Sequence, residues 1–377
     1  MGRLRTWTVL GLCVALGSVV PAQVAGRDAR GFYEDDAASQ LALSAGVQRW
    51  VRGAVNRQHF QTGSAFFDAE WVFGSYMMAA MGLGQVALAH PEVRARHADA
   101  VAGCLDQLLS DRVRSFDRVA WGSDALGSLD TEEGHAAYLG YLNLALGMHR
   151  RLDPHSRFAT HHDRISAALA RRFEQSHSGL IATYPGETYP VDNLAAIASL
   201  ALHSRLTGED RGQLISRLIA RMRSDYVDPK TGLLIQAVTE AGLPADDGRG
   251  SGTALGAYFA SYANLPFARE LHVALRSQLA ASVVGFGVVR EYTHDRGRGD
   301  IDSGPLVLGL SVSATGFSLG SARAAGDFEH FERVYRTAHL FGAPHRSDDE
   351  ATFVGGGPLG NAIMLAMLTA PRAEVER

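Results

Sequence analysis

The chain has 377 residues, with 36 Lys+Arg against 40 Asp+Glu, 46% hydrophobic residues, 41 Gly and 2 Cys. The net charge of −4 gives no clustered cationic footprint of the kind phosphate backbones require, so a dedicated nucleic-acid binder is excluded. With only Cys13 and Cys104, a disulfide framework and a Cys-rich zinc module are excluded as well.

Residues 1–26 carry Arg3 and Arg5, then an apolar run of 14 residues from Trp7 to Val20, then small residues. That is the three-part layout of a secretory leader, and the run is shorter than the roughly 20 residues that span a bilayer. Cleavage is expected after Ala22 or Gly26, with an uncleaved anchor as the alternative. Residues 27–377 then form one exported domain. No later segment is expected to span a membrane, and a homo-oligomer is compatible with the sequence.

Along the chain, amphipathic stretches near 37–57, 92–110, 157–173, 211–226, 265–282 and 327–341 alternate with stretches apolar on nearly every side. The latter lie near 69–87, 135–149, 193–205, 252–264, 305–323 and 358–370. A helix charged on one face packs at a surface, and one apolar all round is enclosed. A repeat supports the same division: Gly179-Leu180 returns as Gly232-Leu233 and Gly285-Phe286, 53 residues apart each time, and Gly304-Pro305-Leu306 returns 53 residues later as Gly357-Pro358-Leu359. Twelve alternating helices in six units predict an all-α (α/α)6 toroid, six inner helices ringed by six outer ones, with an open helical solenoid as the rival.

In such a toroid the loops leading into the inner helices converge on one mouth. Here they carry Asp68 and Glu70; Asp130, Glu132, Glu133 and His135; Tyr184, Glu187, Tyr189 and Asp192; Asp246 and Asp247; Glu291, Tyr292, His294, Asp300 and Asp302; and Asp348, Asp349 and Glu350. Carboxylates among aromatic faces suit proton transfer on a neutral hydroxylated small molecule. Asp192-Asn193 and Asp302-Ser303 also read as helix N-caps. Glu187, in a loop denser than a cap requires, is the better single candidate for chemistry. Tyr138 and Tyr141 could aim a hydroxyl into the cavity or pack in the core. Trp71 and Trp121 are candidate walls, and Met77, Met78 and Met81 are core filler. His135 and His294 could shuttle protons or serve structure.

No cofactor is expected. Gly355–Gly360 matches G-x-G-x-x-G but follows no strand, and neither a G-x-S-x-G elbow nor a P-loop occurs. The absence of H-E-x-x-H and of a Cys/His ligand spacing speaks against zinc, and Asp300 and Asp302 lack the rest of a calcium loop.

Tyr138–Met148 (YLGYLNLALGM), Ile181–Leu200, Tyr226–Leu233 (YVDPKTGL) and Val289–Asp327 with its GDIDSGP core together resemble the linalool dehydratase/isomerase family, in order over roughly residues 66–330. The resemblance implies a periplasmic, cofactor-free (α/α)6 enzyme that hydrates, dehydrates and isomerises a monoterpene alcohol by acid/base chemistry. The family's histidine after Y-x-G is Tyr141 here, and its two cysteines are Thr183 and Asp192. Its thiol mechanism therefore does not transfer.

The first expectation is a lyase or isomerase with Asp192 and Glu187 as acid and base. Tyr141 would orient the substrate hydroxyl and Asp302 complete the acidic wall. Tyr138, Thr183, Tyr184, Tyr189, Glu291 and His294 would bind substrate. The alternatives are a carbohydrate-active hydrolase, lyase or epimerase using the same carboxylates, and a secreted scaffold whose acids are all caps.

Overall fold

The computed structural model describes residues 17, 20–294, 299–301, 303, 304, 306–347 and 349–372. Six inner helices are present: α3 (Ala65–Ala89), α6 (Ala136–Leu152), α8 (Pro190–Thr207), α10 (Gly250–Ala260), α12 (Val312–Ala325) and α14 (Gly357–Leu368). Each packs against the next, and α14 returns to α3, so the ring closes. Around them run six outer helices: α2 (Ala37–Arg52), α4 (Arg94–Leu109), α7 (Ala159–Gln175), α9 (Gly212–Asp225), α11 (Leu265–Leu279) and α13 (Phe328–Gly342). This is an (α/α)6 toroid. Its inner helices are buried almost end to end because their sequences leave no polar face to show to water. The α3 helix is long and apolar enough to cross a membrane, contrary to expectation, yet most of its apolar stretch is enclosed by its neighbours.

The repeat marker has a conformational cause. Gly179, Gly232 and Gly285 all adopt positive φ (73°, 72° and 84°), a region that side chains disfavour, so each unit needs glycine at the turn after its outer helix. The segment after the turn is then caught by the next inner helix. The Ile181 amide donates to Asn193 Oδ1 (2.7 Å) and Leu234 to Thr253 Oγ1 (3.0 Å). In the same way Val289 donates to Thr315 Oγ1 (3.0 Å) and Phe353 to Asn361 Oδ1 (2.7 Å).

Several details differ from the sequence reading. An additional helix, α5 (Asp111–Trp121), occupies what was read as loop, started by Ser110, whose Oγ accepts the Val113 amide. Two antiparallel hairpins are present, β1 (Ala280–Val283) with β2 (Phe286–Val289), and β3 (Pro344–Arg346) with β4 (Ala351–Phe353). The fifth inner helix begins at Val312 rather than 305, because Leu308 and Gly309 turn at positive φ and Leu310 bridges back to Arg290 and Val307. Of the expected leader, residues 1–16, 18 and 19 lie outside the described residues. Residues 20–25 are helical, with Ala22 and Ala25 buried.

A short helix, α1 (Ala29–Tyr33), packs on α13 and brings the N-terminal segment to a seam made by Arg323. This buried guanidinium donates to the Phe32, Tyr33 and Ala370 carbonyls and to Asp35 Oδ1. Arg372 reaches the other oxygen of Asp35 at 3.1 Å. Replacing Arg323 with Ala removes a buried cation from three carbonyls and from Asp35, and unfolding experiments should show a loss of roughly 3–5 kcal/mol, the cost typical of removing one buried charged partner.

Histidines are concentrated at the end of the ring opposite the inner-helix N-termini. Burial holds His97 and His330 down at about 4 and His162 at about 3, and it lowers His149 and His203 too. An unfolded histidine titrates near 6.5, so below that pH the unfolded chain takes up protons that the folded chain refuses. Their contribution to stability is complete above pH ~6.5 and shrinks as pH falls toward about 4. Denaturant midpoints should therefore drop between pH 7 and pH 5, and a flat profile would show that these rings are not neutral in the folded protein.

Candidate active site

A cavity of about 970 Å³ opens at the inner-helix N-termini. Its carboxylates among the described residues are Glu70, Glu187, Asp192, Asp246 and Asp300. Aromatic rings wall it, among them Phe66, Trp71 and Phe317, while Met77, Met78, Leu255, Leu359 and Ile363 line it with carbon.

The loop between α7 and α8 builds one wall. Gly186 turns at φ 78°, and the Thr183 and Tyr184 amides both donate to the Glu187 carbonyl (2.8 and 3.1 Å). Thr183 is buried and its Oγ1 accepts the Tyr189 amide (3.0 Å), so it shapes the loop and does not line the cavity. Asn193 fastens the loop from below, donating to the Ile181 and Tyr189 carbonyls (3.0 Å each). Capping is thus not the task of Asp192, which stands within the first turn of α8 while Tyr189 occupies the cap position with its hydroxyl turned to Glu187.

Three tyrosine–carboxylate pairs face this space. Tyr141 Oη donates to Asp192 Oδ1 (2.7 Å), joining α6 to α8. Tyr189 Oη donates to Glu187 Oε2 (2.8 Å). Tyr184 Oη donates to Glu70 Oε1, tying the α7–α8 loop to α3. Burial, with the Glu70 carboxylate beside it, pushes the Tyr184 phenol well above its ordinary value, so it remains a donor at any physiological pH. Tyr141 is set edge-on to Phe259 (centroids 5.1 Å, planes at 90°), which limits where its hydroxyl points.

Across the cavity Arg249 donates through Nε to Glu291 Oε1 (2.8 Å) and through both terminal nitrogens to Asp300 (2.6 and 3.0 Å). Burial alone would raise the Asp300 carboxyl, but Arg249 and the Ser303 amide hold it at about 2. Asp300 is therefore an ion-pair partner and not a proton donor. Its oxygens are committed to Arg249 and Ser303, an arrangement unlike a calcium loop.

Asp192, Glu187 and Tyr141 are thus brought together as expected, with Tyr184 and Tyr189 beside them; Asp302 lies outside the described residues. Other expectations are corrected. Tyr138 is fully buried with its hydroxyl on the Leu108 carbonyl (2.9 Å), because its 60° offset from Tyr141 on the helix turns it toward α4. Glu291 is fully buried and off the cavity surface, held by Arg249 and Ser251. His294 stands exposed, 3.6 Å from Asp247, and is not on the lining. Asp68 braces its own loop by accepting from Thr62.

His135, at φ 49°, is buried against Asp117 (2.7 Å) under the Trp121 ring (4.5 Å), so neither His135 nor Trp121 walls the cavity. Arg249, Ser251 and Gln236 line the cavity and were not singled out from the sequence. Glu70 was noted only as one mouth acid among many, though a signal existed: Asp68 and Glu70 are the only charged residues in the 25-residue α3.

Among the described residues the tightest cluster with metal-ligand chemistry is His162, Asp163 and His203, at the opposite end of the ring. There Arg211 donates to His203 Nδ1 (3.1 Å), which places the ring proton on Nε2, facing Asp163 (2.9 Å), and Arg150 pairs with Asp163. A ring nitrogen that carries a proton has no lone pair for a metal, so His203 is committed to its hydrogen bonds, whereas both ring nitrogens of His162 are buried without a hydrogen-bond partner.

No family profile matches the chain, and no curated protein matches it. Solved structures do. A family 105 glycoside hydrolase from C. acetobutylicum ATCC 824 aligns with TM-score 0.57 and 10% identity, covering 79% of this chain and 92% of that one. An inactive variant of an α-1,6-mannanase from Salegentibacter sp. HEL1_6, in complex with α-1,6-mannotriose, gives 0.55 and 10%, covering 88% and 98%. An unsaturated glucuronyl hydrolase from Bacillus sp. GL1 gives 0.53 and 12%, covering 88% and 95%. At these identities the shared property is the fold.

Replacing Asn193 with Ala removes both sides of the fastening under the α7–α8 loop. It should lower stability by about 1–3 kcal/mol, the range for leaving a buried polar group unpaired, and weaken any cavity ligand more than a distant core variant of equal instability does. Paired denaturation and ligand titrations check both parts.

Proposed function

We propose that the chain is an exported acid/base enzyme acting on a hydroxylated glycan-derived substrate in this cavity. The observation that carries the reading is the pairing of Asp192 with Tyr141 beside Glu187 with Tyr189, two carboxylates presented by one loop and helix start to an aromatic-walled space. Apolar and aromatic walls with a few convergent polar groups suit a small hydroxylated ligand, whose C–H faces stack on rings while its hydroxyls meet the acids. Asp192 and Glu187 between them would supply one proton donor, to the departing oxygen, and one acceptor, for the attacking water or the proton removed in elimination. The Tyr141 and Tyr189 hydroxyls steady whichever carboxyl is ionised, since hydrogen bonds to the charged form favour it. The likeness in fold to glycoside hydrolases is consistent with the proposal.

A second reading, dehydration of a terpenoid alcohol, is favoured by the carbon-lined part of the cavity at Met77, Met78, Leu255, Leu359 and Ile363. It would use the same two carboxyls, with no thiol at Thr183 or Asp192.

Purified protein should be incubated with neutral oligosaccharides and, separately, with linalool, and the products identified by mass spectrometry. The expected result is turnover of an oligosaccharide, reduced at least about 100-fold in Asp192→Asn and Glu187→Gln with little change in melting temperature. Turnover of linalool alone would favour the second reading. No turnover, with both variants destabilised, would make the acids structural and overturn the enzyme assignment.

A further inference from the structure

A second cavity, of about 620 Å³, lies outside the mouth, between α5 and the turn at Arg57–His59. Arg57, Arg112 and Arg118 line it, together with Ser115, Asn56 and Gln58. Arg112, Ser115 and Arg118 are spaced by three residues on α5 and so share one side of that helix. Arg112 is held in place by donating to the Val55 carbonyl (3.0 Å) and to Gln107 Oε1 (2.7 Å), and Arg57 donates to Ser115 Oγ (3.0 Å). The Arg118 guanidinium makes no hydrogen bond or ion pair with any described residue, and the residue is exposed. The one acid on the lining, Asp111, is ion-paired with Arg114. The other acid of α5, Asp117, is buried against His135.

Three guanidinium groups with no carboxylate devoted to them, in a concavity, on a chain whose net charge is −4, do not reflect a generally basic surface. We propose that this pocket binds a tetrahedral oxyanion, a sulfate or phosphate group, either free or as the monoester of a sugar. Planar guanidinium forks match the oxygens of such groups, and with two of the three arginines already fixed by protein contacts little ordering is needed on binding. The proposal does not rest on the chemistry assigned to the mouth.

The test is calorimetric and thermal-shift titration of the full chain with sodium sulfate and inorganic phosphate, against sodium chloride at equal ionic strength. Parallel titrations use glucose 6-sulfate, glucose 6-phosphate and glucose. The sulfate- and phosphate-bearing ligands should raise the melting temperature beyond the chloride control. Arg118→Gln, which breaks no intramolecular contact, should weaken binding about tenfold or more, and Arg57→Gln/Arg118→Gln should weaken it further. Arg217→Gln, on the exposed side of α9, should leave it unchanged. Tighter binding of the esters than of the inorganic ions would identify a modified sugar as the ligand, and equal binding a free oxyanion. A response equal to that of chloride, or one that survives in Arg118→Gln and in the double variant, would overturn the proposal.

Discussion

The cavity depends on a hydrogen bond made four times. In each case an amide a few residues past an outer helix is caught by a side chain in the first turns of the following inner helix: Asn193, Thr253, Thr315 or Asn361. Without such a catch, the segment running to the mouth would hang from the ring by its two ends, and the loop beyond it would have no fixed origin. Asn does this twice over, since its amide nitrogen also donates back to the carbonyl of the residue it holds, at 3.0 Å for Ile181 and 2.9 Å for Phe353. The two asparagine sites therefore tolerate the least displacement, and one of them carries Asp192 and Glu187.

Much of this architecture is legible in the residues, for physical reasons. The glycine period could be read because the turns demand a conformation that other residues avoid, and the inner helices because full enclosure removes polar residues from every face. The α5 helix went unread because its charged, short sequence looks like a loop, although a connection of more than about 12–15 residues without structure should itself have raised suspicion. The start of α12 was misplaced because Leu306, Val307 and Leu308 are as apolar as a core helix. Their backbone, however, turns at Leu308 and Gly309. Pairing of distant groups was beyond reach. Arg249 with Glu291, or Tyr184 with Glu70, lie 42 and 114 residues apart and meet only because successive inner helices pack side by side.

The cavity has two unlike polar walls. Arg249, with Glu291 buried behind it and Asp300 in front, is a fixed ion-pair wall whose carboxylate at Asp300 stays ionised across the working range of pH. The opposite wall holds no cation among these contacts and uses tyrosines as donors to carboxylates, Tyr141 to Asp192 and Tyr189 to Glu187. Aromatic and carbon surfaces between the two walls leave the polar groups few and directional.

The seam at Arg323 has a geometric consequence. It lies beyond the C-terminal ends of α12 and α14, at the pole of the ring away from the mouth, and there the first and last described segments sit side by side, with Asp35 and Arg372 in contact. Arg372, the last described residue, is held at that pole by Asp35. A label or support coupled at position 372 would therefore sit at the pole away from the opening and leave the cavity mouth uncovered.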